Sequence, residues 1–236
     1  MPVLALDTSA AVAVSLTDDD GSLLAARSDE QQRHHAELLT PMIAAVLADA
    51  GVDRRDLTSV VVGTGPAPFT GLRVGLVTAR TLGLALGIPA RGVPSLDAIA
   101  AAASRRLPPG TDVLVATDAR RREVYWSLYR LAGPGRIEVL VPPAVGAAAE
   151  VPTNGALVIG RGADLYRDVF VADGPVVAPV GAVAISPDLL EGLRDPDPAE
   201  LARLSLQRSD EALDTEPLYL RRPDAVPPAE RKRALG

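Results

Sequence analysis

Asp7 and Asp118 are the two residues of this chain whose type and position could support phosphate or metal chemistry. Each ends a short apolar run, and Thr8 and Ser9 follow Asp7 directly. A carboxylate at a strand end can hold a metal bound to phosphate, but the same pattern arises when aspartate closes a turn on its own backbone. The turn interpretation is favoured, because phosphate approaches the backbone most closely at glycine. The residues that follow the two aspartates are Ala10, Ala11, Ala119 and Arg120.

A glycine-rich turn between Gly63 and Gly71 leads into a predicted helix, and such a turn can form a phosphate cradle at a helix N-terminus. Two features count against a cradle here. No lysine occupies the P-loop position and the GxGxxG spacing is absent, and Pro66 and Pro68 remove two backbone N–H donors. Thr70 is a suitable N-cap for the helix. The candidate nucleotide or phosphate contacts are Asp7, Thr8, Ser9, Gly65, Arg73 and Asp118.

The predicted helix carries a row of small residues at every fourth position. The members of this small-residue row are Gly71, Gly75, Ala79, Gly83 and Gly87. Each glycine inside a helix costs ~1 kcal/mol relative to alanine, so the row implies a compensating close approach of another backbone. That neighbour is either the chain's own sheet or helix, or a helix of a partner protein, and the sequence leaves both open.

Other catalytic and metal-binding patterns are missing from the sequence. The chain has no cysteine, which excludes thiolate-bound zinc and disulfides and fits a reducing, cytoplasmic compartment. A metal-binding pair on one helix face needs a ligand four residues after His34 or His35, and Leu38 and Leu39 stand there. No Ser-His-Asp motif is present. We therefore predict no metal site and no catalytic residue.

The charge of the chain limits the partners that it can bind by itself. The formal net charge is −6, whereas a phosphate backbone calls for a basic face. Nucleic acid is therefore expected to be met through a partner protein. The first apolar run is interrupted at Asp7, which argues against a signal peptide. The helix that follows the glycine-rich turn carries Arg73 and Arg80, so it is not expected to span a membrane.

Apolar periodicity predicts two similar α/β domains. Three strands, a helix near His35 to Ala50, a strand near Ser59 and the small-residue-row helix give the order βββαβα in residues 1–107. Pro108-Pro109-Gly110 then interrupts the chain. The pattern of apolar strands ending in aspartate begins again, which predicts a smaller second domain over residues 108–221. Residues 222–236 are rich in proline, alanine and charge, and are predicted to form a loose tail.

Five segments resemble, in order, the motifs of the TsaB family, whose members are partner subunits in bacterial synthesis of threonylcarbamoyladenosine on tRNA. These are LALDTS (4–9), HAELLTPMI (35–43), GTGPAPFTGLRVG (63–75), DARRREVYW (118–126) and PLYLR (217–221). The resemblance implies a two-domain actin-like (ribonuclease H-like) fold, in agreement with the repeated pattern. It also implies a non-catalytic scaffold that dimerises with TsaD, the subunit that transfers the threonylcarbamoyl group.

The resemblance further implies partners and cofactors. TsaE, an ATPase, joins the complex, and ATP, ADP and metal are expected in the partner subunits rather than in this chain. tRNA is reached only through the complex, and the chain could form a homodimer when alone. A free-standing actin-like enzyme, either a sugar-type kinase or a metallohydrolase, is the alternative. The family's contact with TsaD uses the first two helices, which here implies the interface His35, Leu39, Ile43, Val46, Thr70, Gly71, Val74, Gly75, Thr78, Ala79 and Leu82.

Overall fold

The fold is described from a computed structural model, which covers residues 1–29, 35–171 and 192–221. The predicted tail, residues 222–236, lies outside these described residues, as does His34. Within the described ranges, no helix has both the length and the apolar character needed to cross a membrane.

The first domain is a five-stranded sheet with strand order β3-β2-β1-β4-β5. The first three strands form an antiparallel meander, and β4 and β5 continue the sheet in parallel to β1. The elements, in chain order, are β1 (Val3–Asp7), β2 (Val12–Thr17), β3 (Leu23–Asp29), α1 (His35–Asp49), β4 (Ser59–Gly63), α2 (Phe69–Leu86), β5 (Ala90–Val93) and α3 (Ser95–Ser104).

Both faces of this sheet are covered, because successive side chains of a strand point to opposite faces. Leu4 and Leu6 of β1 belong to the core formed with α1 and α2. Val3 and Ala5 belong to the opposite core, formed with α3 and a late helix. All residues of β1 are buried as a result. Burial on both faces explains why the residues of β1 up to Leu6 are all apolar and do not alternate with polar residues.

The second domain has a four-stranded sheet with order β8-β7-β6-β9, in which β9 runs parallel to β6. Its elements are β6 (Asp112–Asp118), β7 (Glu123–Gly133), β8 (Arg136–Ala147), β9 (Leu157–Ile159), α4 (Arg161–Leu165) and α5 (Arg167–Val171). The order β8-β7-β6-β9 repeats β3-β2-β1-β4 of the first domain, which confirms the predicted pair of similar α/β domains. The repeat is not complete, since one 3₁₀ turn, Ala148–Glu150, follows β8 where α1 follows β3.

The chain returns to the first domain after the second sheet. The late helix α6 (Pro198–Gln207) packs Leu201, Ala202 and Leu204 against the first sheet. Residues 213–221, which we call the C-terminal strap, then pass the edge strand β5, where the Gly92 N–H donates to the Leu213 carbonyl at 2.9 Å. The sequence grouped both segments with the second domain, but their described contacts with the first sheet join them to the first domain.

Candidate functional site

A cavity of about 410 Å³ lies between the two domains. The first domain contributes the turn after β1 and the start of α2, and the second domain contributes the end of β6 and the start of α4. A volume of this size falls in the range of small-molecule sites. The lining residues are Thr8, Ser9, Ala10, Ala36, Pro66, Pro68, Thr70, Gly71, Val74, Thr117, Asp118, Arg120 and Arg161.

Asp7 lies beneath this cavity with both carboxylate oxygens engaged by its own chain. Its Oδ1 accepts hydrogen bonds from the Ser9 N–H at 2.7 Å and the Ser9 hydroxyl at 2.6 Å. Its Oδ2 accepts from the Ser95 hydroxyl at 2.6 Å. Burial raises the pKa of this carboxyl from 3.8 to about 6. A Cβ at Gly63 would lie 1.8 Å from Oδ2, so only glycine fits beside the carboxylate.

Asp118 repeats this arrangement at the end of β6. Its Oδ1 accepts a hydrogen bond from the Arg120 N–H at 2.7 Å, two residues on, as Asp7 does from Ser9. Its Oδ2 lies 3.2 Å from the Arg120 guanidinium. Arg120, Arg121 and Arg122 all have positive φ, between 54° and 64°, so the turn is left-handed. Each aspartate thus closes a turn, which is the geometry that the sequence favoured.

Thr8 explains the first part of the small-residue row, at Gly71 and Gly75. Its hydroxyl donates to the Gly71 carbonyl at 2.8 Å and accepts from the Gly75 N–H at 3.1 Å. These two backbone groups would pair with each other in a regular helix. A Cβ at Gly75 would lie 2.5 Å from the Thr8 hydroxyl oxygen. Ala79 is fully buried in the core of the first domain, so this part of the row faces the chain's own sheet.

The burial of α1 and α2 corrects part of the expected partner interface. Leu39, Ile43 and Val46 are buried in the core beneath α1, as Gly75 and Ala79 are beneath α2. Side chains in the domain core cannot contact a partner while the domain is folded. The side chain of His35 lies outside what the structure describes. The remaining expected residues reach the surface: Thr70 is exposed, and Gly71, Val74, Thr78 and Leu82 are half-buried.

On both helices, several exposed residues directly follow a buried residue in the sequence. On α1 the exposed residues include a set without long side chains that recurs at helical spacing: Thr40, Pro41, Ala44 and Ala48. On α2 they include Val77 and Leu84, which are 60% and 88% exposed. Apolar residues lie on both faces of α1, so apolar character alone did not distinguish the core face from the outer face.

The remaining candidate phosphate contacts lie away from the cavity. The Gly65 N–H donates to the Ser95 hydroxyl at 3.1 Å, which is the hydroxyl that bonds Asp7. The Arg73 guanidinium stacks on Phe69, 3.7 Å from the ring centroid. Thr8, Ser9 and Asp118 do line the cavity, and sequence reasoning missed Arg161, whose guanidinium pairs with Asp195. Thr70 stands inside the first turn of α2, so it does not cap the helix as predicted.

Comparisons with known proteins agree with the motif resemblance. A family model described as TsaD, tRNA N6-adenosine threonylcarbamoyltransferase, matches residues 23–163. An uncharacterized protein of Mycobacterium tuberculosis is 42% identical over 231 residues, 95% of this chain and 94% of that protein.

Two further matches, one in sequence and one in structure, have names. The tRNA threonylcarbamoyladenosine biosynthesis protein TsaB of Escherichia coli is 30% identical over 228 residues, which is 94% of this chain and 95% of that protein. The solved structure of YeaZ from Pseudomonas aeruginosa aligns with a TM-score of 0.71 at 30% identity, over 93% of this chain and 99% of that chain. The chain belongs to the TsaB family.

Proposed function

We propose that this chain is a non-catalytic subunit of the machinery that makes threonylcarbamoyladenosine on tRNA. It pairs with a TsaD subunit and supports the transfer that TsaD carries out. The pathway in this proposal is the one for which the TsaB relatives of Escherichia coli and Bacillus subtilis are named. The main support for a non-catalytic role is the hydrogen bonding of Asp7. Both of its carboxylate oxygens accept hydrogen bonds from serines of the same chain.

A catalytic carboxylate must reach a metal, a substrate or a proton in transfer. Asp7 is 1% exposed and would have to give up its contacts with Ser9 and Ser95 to do so. Asp118 does line the cavity, but both of its oxygens are engaged by Arg120 in the turn that follows. Among the described residues, no three histidine, aspartate or glutamate side chains converge as a metal-holding group. ATP, ADP and metal are accordingly assigned to the partner subunits, TsaD and the ATPase TsaE.

The outer face of α1 and α2 is the proposed contact with TsaD. Ala44 and Ala48 are exposed one turn apart on α1, so a helix of the partner can approach the α1 backbone closely. Val77 and Leu84 on α2 provide exposed apolar side chains that a contact would bury. We name this surface the helical face, defined by Thr40, Pro41, Ala44, Ala48, Thr70, Val74, Val77, Thr78, Thr81 and Leu84. The same face serves a homodimer when the partner is absent.

The test combines assembly with activity. The chain and TsaD are co-expressed, and the change Leu84→Asp on the helical face is expected to abolish co-elution on size exclusion. Leu165→Asp is the matched control, because Leu165 is 55% exposed in α4 of the second domain and is not part of the helical face. Threonylcarbamoyladenosine formation on tRNA with TsaD and TsaE is expected to require the chain and to fail with Leu84→Asp.

The chain alone is expected to hold no stoichiometric zinc or iron and to release no phosphate from ATP. Elemental analysis and a phosphate-release assay on the purified chain measure both. Turnover that persists through further purification, or one metal per chain, would support the free-standing actin-like enzyme and overturn the scaffold proposal.

A further inference from the structure

An aromatic and arginine cluster lies at the N-terminal end of α2, beside the helical face. The Arg73 guanidinium stacks on the Phe69 ring at 3.7 Å from the centroid, and its Nε–H donates to the Tyr219 hydroxyl at 2.8 Å. The Phe69 and Tyr219 rings stack with centroids 5.1 Å apart. Both rings remain partly open to solvent, at 45% and 41% exposure.

The C-terminal strap holds Tyr219 in place. The Leu218 N–H donates to the Thr64 carbonyl at 2.9 Å, and the strap is bonded to β5 through Leu213. The Arg221 guanidinium donates to the Ala119 carbonyl at 2.7 Å in the second domain. The hydrogen bonds of Leu218 and Arg221 therefore hold the backbone before and after Tyr219. The Tyr219 hydroxyl in turn orients Arg73. The cluster is preorganised, so little side-chain freedom remains to be lost when a ligand binds.

Arg73 has no carboxylate partner among the described residues, although its guanidinium is fully oriented. Arg80, two turns further along α2, offers the contrast. Its guanidinium donates to Glu216 at 2.8 Å and to the carbonyl and hydroxyl of Thr215, each at 2.7 Å. Two arginines on the same helix side thus meet the same strap, and only Arg80 is neutralised by it.

We infer that Arg73 binds a carboxylate side chain of the partner subunit that docks on the helical face. The inference rests on the proposed function, since it names a contact within that assembly. Guanidinium matches carboxylate through paired N–H donors, and arginine with tyrosine or phenylalanine is the composition of an interface anchor. Phe69 directly precedes Thr70 of the helical face, so the cluster extends that surface to the strap. The partner residue is therefore an acidic side chain flanked by apolar groups.

A phosphate group could pair with guanidinium by the same chemistry, and the charge around the cluster argues against it. Binding of a nucleic-acid backbone calls for several cations along the strand. The neighbouring Arg80 is already paired with Glu216, and the chain as a whole is acidic, with a formal net charge of −6. A single oriented cation stacked on Phe69 and bonded to Tyr219 fits one protein carboxylate better than a run of phosphates.

The experiment measures the affinity of the full chain for TsaD by titration calorimetry at low and physiological salt. Arg73→Gln is expected to weaken binding at least tenfold and to reduce its salt dependence. Arg73→Lys is expected to recover only part of the loss, because an ammonium lacks the paired-donor geometry. Arg80→Gln is the matched control and is expected to change affinity less than twofold. The melting temperature of each variant is recorded first, so that only folded chains are compared.

The outcomes separate this inference from the function on which it rests. Failure of the unmodified chain to bind TsaD defeats the proposed function. Binding by the unmodified chain with equal affinity for Arg73→Gln overturns the carboxylate contact alone. The contact is also overturned if Arg73→Gln leaves the affinity for TsaD unchanged but weakens tRNA retention by the assembled complex, since that result assigns Arg73 to phosphate.

Discussion

Replacing Gly75 by alanine is expected to destabilise the isolated chain, even though alanine is the better helix former. The added Cβ would lie 2.5 Å from the Thr8 hydroxyl oxygen and 3.3 Å from Leu6 Cδ1. The first of these distances is too short for any contact, so either Thr8 or α2 must move. Movement of Thr8 breaks the hydrogen bonds that its hydroxyl makes with the Gly71 carbonyl and the Gly75 N–H.

The size of the effect follows from opposing contributions. Overpacking a core contact costs ~1–3 kcal/mol, and each lost hydrogen bond of the buried Thr8 hydroxyl costs ~1 kcal/mol. The gain in helix propensity from glycine to alanine offsets ~1 kcal/mol. With both hydrogen bonds lost, the net loss in the free energy of unfolding is then about 2–4 kcal/mol, and each 1 kcal/mol lowers Tm by ~2–4 °C for a chain of this size.

The assay is a double-mutant cycle in urea unfolding without any partner. Thr8→Ala alone removes the hydroxyl and lets the Gly71 carbonyl pair with the Gly75 N–H. In that background Gly75→Ala has room for its methyl group and is expected to be neutral or stabilising. The coupling between the two sites is expected to reach ~2 kcal/mol, within the range for residues in contact. Additive effects, or a Gly75→Ala chain as stable as the original, would refute the packing account of the small-residue row.

Two further predictions concern charge. The raised pKa of Asp7, about 6 against an ordinary 3.8, means that the folded chain holds this proton to higher pH than the unfolded chain does. Protonated Asp7 therefore contributes up to ~3 kcal/mol to the free energy of unfolding below pH ~4, and this contribution is lost as pH rises through about 6. Unfolding of the original chain and of Asp7→Asn between pH 4 and 7 should show this difference, and a pH-independent difference contradicts it. The isolated chain is also expected to bind tRNA weakly at physiological salt because it is acidic. A gel shift measures this, and tight, salt-sensitive binding would instead mark the Arg120 to Arg122 turn as a nucleic-acid surface.

The sequence predicted the strands and helices of the first domain well, because their local signals agree with the tertiary contacts. The run from Val3 to Leu6 is uniformly apolar and is buried on both faces. Gly87, which the sequence placed at the end of the small-residue row, lies just after α2 as its C-cap with a left-handed φ of 68°. The repeated strand-then-aspartate pattern at Asp7 and Asp118 correctly predicted the second domain.

The outer face of α1 could not be predicted, because apolar residues lie on both sides of this helix. Leu39 and Ile43 point inwards, while Ala44 and Ala48 point outwards. The small-residue row suggested a partner for a related reason: nothing near Gly75 in the sequence indicates Thr8, which lies 67 residues earlier. Contacts of this separation are set by sheet topology rather than by local pattern. The strap was missed for the same reason, since Tyr219 meets Phe69 only in the folded chain.

The return of α6 and the strap to the first sheet has a consequence for synthesis on the ribosome. Until residues 198–207 emerge, Val3 and Ala5 of the first strand lack the cover that Leu201 and Ala202 provide. The first domain therefore cannot finish folding before the second has been translated, although N-terminal domains generally fold first. Until then α3 alone covers this face of the sheet, through Ala98 and Ala101, and the core of the first domain is completed only after the second domain has been translated.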